Sequence, residues 1–195
     1  MIQPSTLKFL SALKKNNNRD WFLANKKEYE AAKADFANCV QQLINGITAF
    51  DKRFSRLEAK NCMFRINRDV RFSNNKAPYK TNMGANISPG GKKSASAGYY
   101  FHAEPEGAFL AGGMFQPEPD KLKAIREDII YDADVFKTII NNKVFKKYYP
   151  QLWDEGKLKN APKGFDKEHP DIDLVKYKNY IVVKDLKNKE LTDKS

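Results

Sequence analysis

Two cysteines and two histidines are all that 195 residues contain of those types, and their scarcity narrows the chemistry at once. Cys39 and Cys62 stand alone, with no second cysteine or histidine at ligand spacing, so neither a disulfide framework nor a zinc site is expected. Asp69, Glu104 and Glu106 are the only acids suggesting a magnesium site, and their pattern is weak, so no metal is expected and no cofactor is indicated. Long apolar runs are also missing. Nothing approaches the ~20 residues of a membrane span. Lys8 interrupts an N-terminal apolar stretch that is already too short for a secretory core. These absences point to a reducing, cytoplasmic setting without membrane contact. Gly112 and Gly113 lack the following lysine and hydroxyl of a phosphate loop, and there are no internal repeats.

What the chain does have is positive charge in one place. Residues 52–93 carry eleven lysines and arginines against Glu58 and Asp69, a net +9, whereas residues 1–51 carry +2 and residues 94–195 are neutral. Five of the seven arginines fall in that window. Arginine grips carboxylate or phosphate with two parallel bonds, so the cluster reads as an anion site formed by Arg65, Arg68, Arg71, Lys76, Tyr79 and Lys80. The opposing structural reading is a buried ion-pair network, for instance between Arg68 and Asp69. Asp69 and His102 are the candidate proton carriers. On alternate strand positions His102 shares a face with Tyr100 and Glu104.

The length fits one domain spanning residues 1–195, with 41% hydrophobic content to form its core. Periodicity predicts a helix capped by Ser5, with Leu7, Phe9, Leu10 and Leu13 inward. A longer helix follows, opened by an Asn25/Glu28 capping box, with Tyr29, Ala32, Phe36, Val40, Leu43, Ile44 and Ile47 inward. Alternation at Phe64, Ile66, Val70 and Phe72 predicts a strand, and residues 80–88 a second. Residues 98–104 and 108–115 flank a tight turn and read as a hairpin. Asp120 and Asp134 are expected to cap two further helices, the second turning Val135, Phe136, Ile139 and Ile140 inward. Residues 154–171 form a long connection, and residues 180–186 a last strand. The class is α+β, a central and mostly antiparallel sheet with N-terminal and C-terminal helices packed around it.

The order Arg65, Arg68, Asp69, Arg71, Phe72, Asn75, Lys76, Tyr79 resembles the signature of a bacterial and fungal family without an assigned activity, domain of unknown function 2461. Arg19, Asp20, Trp21 and Phe22, with Asn25, Lys26, Tyr29 and Glu30, are similar to that family's N-terminal helix entry. Residues 98–102, Gly112, Gly113 and Met114, and Ala124, Ile125 and Arg126 are similar to its hairpin and following helix. Members of the family continue past the position equivalent to Ser195 with another helix, so the resemblance implies a short or truncated form.

Three functions remain open on these residues. One is a binding module for a phosphorylated or otherwise anionic small molecule. Another is a hydrolase or phosphoryl-transfer enzyme using the same cluster. The third is a nucleic-acid-binding or protein-interaction domain, for which any nucleic-acid contact is expected to be weak and salt-sensitive.

Overall fold

The computed structural model describes residues 1–192. Its helices are α1 (Pro4–Lys15), α2 (Arg19–Ala24), α3 (Lys26–Phe50), α4 (Ala59–Cys62), α5 (Pro119–Tyr131), α6 (Asp134–Asn141), α7 (Lys143–Tyr148), α8 (Ile172–Val175) and α9 (Asn188–Thr192). The strands are β1 (Met83–Ile87), β2 (Gly98–Ala103), β3 (Ala108–Met114) and β4 (Tyr180–Leu186), forming one antiparallel sheet in that order. The fold is α+β. Two compact units are present. The first comprises Met1–Ser94, Gly98–Leu110 and the chain from Asp185 onward, and the second comprises Ala95–Ala97 and Ala111–Lys184.

In the first unit the helical periodicity becomes packing. Leu7, Phe9, Leu10 and Leu13 of α1 are buried together with Ala32, Phe36, Val40, Ile44 and Ile47 of α3. Tyr29 and Leu43 pack at the edge of this core. The caps differ from expectation. The cap position of α1 is Gln3, not Ser5, because Pro4 suits the first helical position. Its entry is satisfied from α3, where Asp35 Oδ2 accepts bonds from Gln3 N at 2.8 Å and Thr6 Oγ1 at 2.6 Å. Asn25 forms no capping box. Its amide instead donates to Trp21 O at 2.8 Å, closing the end of α2 and leaving α3 without a side-chain cap.

The sheet meets this helical layer through β2. Phe101 and Ala103 point inward, Phe101 stacking on Phe36 with ring centroids 5.5 Å apart. Alternation then sends Tyr100, His102 and Glu104 to the other face. Register pairs Gly84 with His102 and Asn86 with Tyr100.

Residues 62–72 are not a strand. Helix α4 ends at Cys62, and the segment beyond it makes only isolated bridges, Met63 with Ala85 and Asn67 with Tyr79. Of its four alternating apolar residues only Ile66 is buried, while Phe72 is 96% exposed. The ladder stops because Asp69 Oδ1 accepts from Arg71 N, bending the backbone, and because the chain doubles back on itself. Lys80 N donates to Ile66 O at 2.8 Å and Arg68 N to Pro78 O at 2.9 Å, closing a loop over residues 66–80.

The second unit packs Ile129, Ala133, Val175 and Tyr180 with Leu122, Ile125, Ile130 and Phe136. Pro119 opens α5 and Glu118 precedes it, so Asp120 lies within the first turn and does not cap. Ala133, not Asp134, precedes α6, and the backbone N–H of Asp134 bonds to Asp132 Oδ1. The expected inward face of α6 is only partly used: Phe136 packs against Tyr180, whereas Val135 and Ile139 are exposed. Gly113, at φ 121°, is the close approach expected at the paired glycines. A Cβ there would stand 2.0 Å from Tyr180 O, which no side chain tolerates.

Candidate functional site

A cleft of about 520 Å³ opens in the first unit between α3, the segment after α4 and the start of β1. Its floor is apolar, with Phe36, Phe64, Ile66 and Met83. Its charged lining is Lys33, Lys60, Arg65, Lys80 and Lys92 against Glu30. Each cation arrives on a different support. Lys33 projects from α3, Lys60 from α4, Arg65 and Lys80 from the two sides of the loop's neck, and Lys92 from the connection after β1.

Three of the five are engaged with the protein. Lys33 lies 3.6 Å from Glu30, Lys60 pairs with Glu58, and Lys92 Nζ donates to Met63 O at 2.9 Å. Arg65 and Lys80 differ, since neither pairs with a carboxylate among the described residues. Lys80 Nζ lies 5.4 Å over the Phe64 ring. Burial, with the Arg65 charge adding to it, lowers the Lys80 ammonium below its ordinary pKa.

The other residues expected in an anion site lie elsewhere. Arg68 is half-buried and spends its guanidinium on the loop itself, donating to Ala77 O at 2.9 Å and Ser73 Oγ at 3.3 Å. The Arg68–Asp69 ion pair does not form. Asp69 instead binds Arg71, with Nη2 to Oδ2 at 2.7 Å and Nε to Oδ1 at 3.0 Å, and that guanidinium holds its carboxyl below the usual range. Lys76 Nζ donates to Val70 O at 3.1 Å on the exposed loop. Tyr79 is buried and stacks on Phe22 with ring centroids 3.9 Å apart. Arg65 and Lys80 are thus brought together in the cleft, and Arg68, Arg71, Lys76 and Tyr79 are not among its lining.

His102 sits behind the cleft wall in a fixed setting. Asn82 Nδ2 lies 3.0 Å and Tyr100 Oη 3.2 Å from its Nδ1, and Glu104 Oε2 lies 3.2 Å from its Nε2. Thr81 Oγ1 donates to the other Glu104 oxygen at 2.8 Å. The imidazole is stacked on Phe109, centroids 4.7 Å apart and planes 13° apart. Tyr100 and Asn82 line the cleft, and burial raises the Tyr100 hydroxyl above its ordinary pKa, keeping it protonated near neutrality. Gly84 makes room for that hydroxyl, because a Cβ there would stand 2.5 Å from it.

A match to a family described as conserved hypothetical proteins covers residues 5–195, nearly the whole chain. The chain belongs to the DUF2461 family. No curated protein and no solved structure matches it. Within this DUF2461 chain, Asn82 and the lysines at positions 33, 60 and 92 are cleft residues that no motif indicated. They come from segments far apart in sequence, and only the net charge of residues 52–93 hinted at Lys60 and Lys92. Among the described residues, no group of three or more histidines, cysteines, aspartates or glutamates is placed to hold a metal ion. None of their helices is long and apolar enough to cross a membrane.

Proposed function

We propose that the cleft binds a small anionic molecule, phosphorylated or carboxylated, between Arg65 and Lys80. The observation that carries this reading is the pair itself: two cations face one concavity without a carboxylate partner among the described residues. Two like charges in a partly desolvated site repel each other, and an anion between them removes that cost while gaining charge-assisted bonds. Asn82 supplies a neutral donor on the same wall. A small ligand fits better than a nucleic acid. Arg53 and Arg71 are already neutralised by Asp51 and Asp69, which thins the extended basic face that phosphate-backbone binding needs.

Titration calorimetry at low ionic strength with inorganic phosphate and with adenosine monophosphate tests the reading. Arg65→Ala and Lys80→Ala should each weaken binding about ten- to a hundredfold, the worth of one or two charge-assisted bonds. Arg71→Ala should leave it unchanged. If neither probe binds the unaltered protein, or if Arg71→Ala weakens binding as much as Arg65→Ala, the cleft is not the anion site.

A further inference from the structure

Resting on that anion-binding reading, we propose that Tyr100 is a catalytic residue that takes a proton from a carbon next to a carbonyl in the bound anion, relaying through His102 to a charge held by Glu104. The hydrogen bonds assign the direction. Asn82 Nδ2 and Tyr100 Oη converge as donors on His102 Nδ1, so this nitrogen is the acceptor and Nε2 carries the hydrogen toward Glu104. Glu104 is itself oriented by Thr81, and the ring plane is fixed by Phe109. The order is that of a carboxylate holding an imidazole in the tautomer that can accept a proton.

Only the outer member of this relay faces the ligand. Tyr100 lines the cleft and His102 does not, which leaves Tyr100 as the member of the relay open to a bound molecule. A phenol kept protonated by burial needs a base behind it before it can accept a proton from a ligand, and His102 is placed as that base. In the step, the ligand C–H bond breaks and its electron pair delocalises into the neighbouring carbonyl as an enolate. The proton reaches Tyr100 Oη as the tyrosine's own proton passes to His102 Nδ1, and the imidazolium is balanced by Glu104. The new negative charge on the ligand is met by Arg65 and Lys80.

The cleft lining contains no serine, threonine or cysteine to act as a hydroxyl or thiol nucleophile. The Phe64 ring lies near both groups, 5.4 Å from Lys80 Nζ and with its centroid 6.4 Å from that of Tyr100. A 2-oxo carboxylate and a phosphorylated ketone each combine an anionic group with an acidic C–H.

Proton NMR in deuterium oxide with 2-oxobutyrate and with dihydroxyacetone phosphate reads the step as loss of the C–H signal and tells the two anion types apart. The unaltered protein should exchange at least one probe above background. Tyr100→Phe should reduce the rate at least about a hundredfold, the usual range for a positioned acid or base, while probe affinity stays within about twofold. Arg65→Ala should instead weaken probe binding. Long-range nitrogen NMR of the imidazoles should show neutral His102 protonated on Nε2, and Glu104→Gln should disturb that signature while leaving His169 unchanged. Probes that bind without exchange, or Tyr100→Phe exchanging like the unaltered protein, would overturn the relay and leave the anion site standing. Absence of binding by both of these probes overturns the relay, and it overturns the anion site as well if phosphate and adenosine monophosphate also fail to bind. A neutral His102 protonated on Nδ1 overturns the relay in the unaltered protein, independently of how any variant folds.

Discussion

Asn17 is where the neck of the loop over residues 66–80 can be broken without touching the cleft. Residues 66–80 close on themselves through Lys80 N to Ile66 O and Arg68 N to Pro78 O, which makes Asn67 and Tyr79 the pair between those bonds. In such a pair the backbone groups of both residues point outward, away from each other. Tyr79 is buried, so its N–H and C=O need partners. Asn17 supplies both. Its Oδ1 accepts from Tyr79 N at 3.0 Å and its Nδ2 donates to Tyr79 O at 2.9 Å, so one side chain takes the place of a neighbouring strand.

The magnitude follows from what Asn17→Ala leaves behind. Two backbone groups lose their partner, and a fully buried orphan costs about 1–3 kcal/mol. Asn17 is itself half-exposed, so water reaches the vacated space and the two losses together should come to about 2–3 kcal/mol. For a chain of this size that is a fall in Tm of roughly 4–12 °C. Asn17→Asp should cost at least as much, because a carboxylate keeps the acceptor but faces the Tyr79 carbonyl with another oxygen. Asn18→Ala, which removes only the cap bond to Trp21 N, should cost about 1 kcal/mol. Urea unfolding measures all three as midpoint shifts at unchanged slope. A loss under about 0.5 kcal/mol for Asn17→Ala would refute the strand-substitute argument.

Two further outcomes follow from the same geometry. Arg68→Ala removes charge-assisted bonds to Ala77 O and Ser73 Oγ and should cost about 1–2 kcal/mol, whereas Lys76→Ala removes one exposed bond and should cost less than about 0.5 kcal/mol; equal losses in urea unfolding would show that the loop does not depend on the Arg68 guanidinium. Burial pushes the Cys62 thiol up to about 11 against the opposing Lys92 charge, so between pH 9 and 11 the folded chain keeps a proton that the unfolded chain has lost; stability should fall across that window, and Cys62→Ala should flatten part of the slope, while a slope unchanged by that substitution would refute the assignment.

Periodicity was enough where one element buries one face against one partner. Helices α1 and α3 pack on the residues their 3.6-residue spacing marks, and the hairpin of β2 and β3 lies where its turn residues put it. The same rule failed at residues 62–72, because alternation records apolar side chains but not whether a neighbouring strand exists to receive the backbone. Arg68 and Asp69 both divert the chain there, one by binding carbonyls of the loop and the other by bending toward Arg71 N. It failed at α6 for a related reason. The face is amphipathic in sequence, yet within its unit only Phe136 of the four expected residues is packed into the core cluster.

The candidate site was legible in proportion to how locally its charges are satisfied. A net +9 over residues 52–93 counts Arg53, Arg71 and Lys60 equally with Arg65 and Lys80, but Asp51, Asp69 and Glu58 lie within two residues of the first three and neutralise them. Arg65 and Lys80 have no such neighbour; they lie fifteen positions apart and meet because the loop closes at Ile66 and Lys80. Tyr79, Arg68 and Asn17 therefore matter to the cleft through the backbone rather than by reaching it: each fixes the neck that sets the spacing of the two cations. This gives the run from Arg65 to Lys80 two physical jobs at once, with its ends supplying charge and its middle holding the ends in register. Arg68→Ala should lower stability and anion affinity together, whereas a substitution at Arg65 should lower affinity alone.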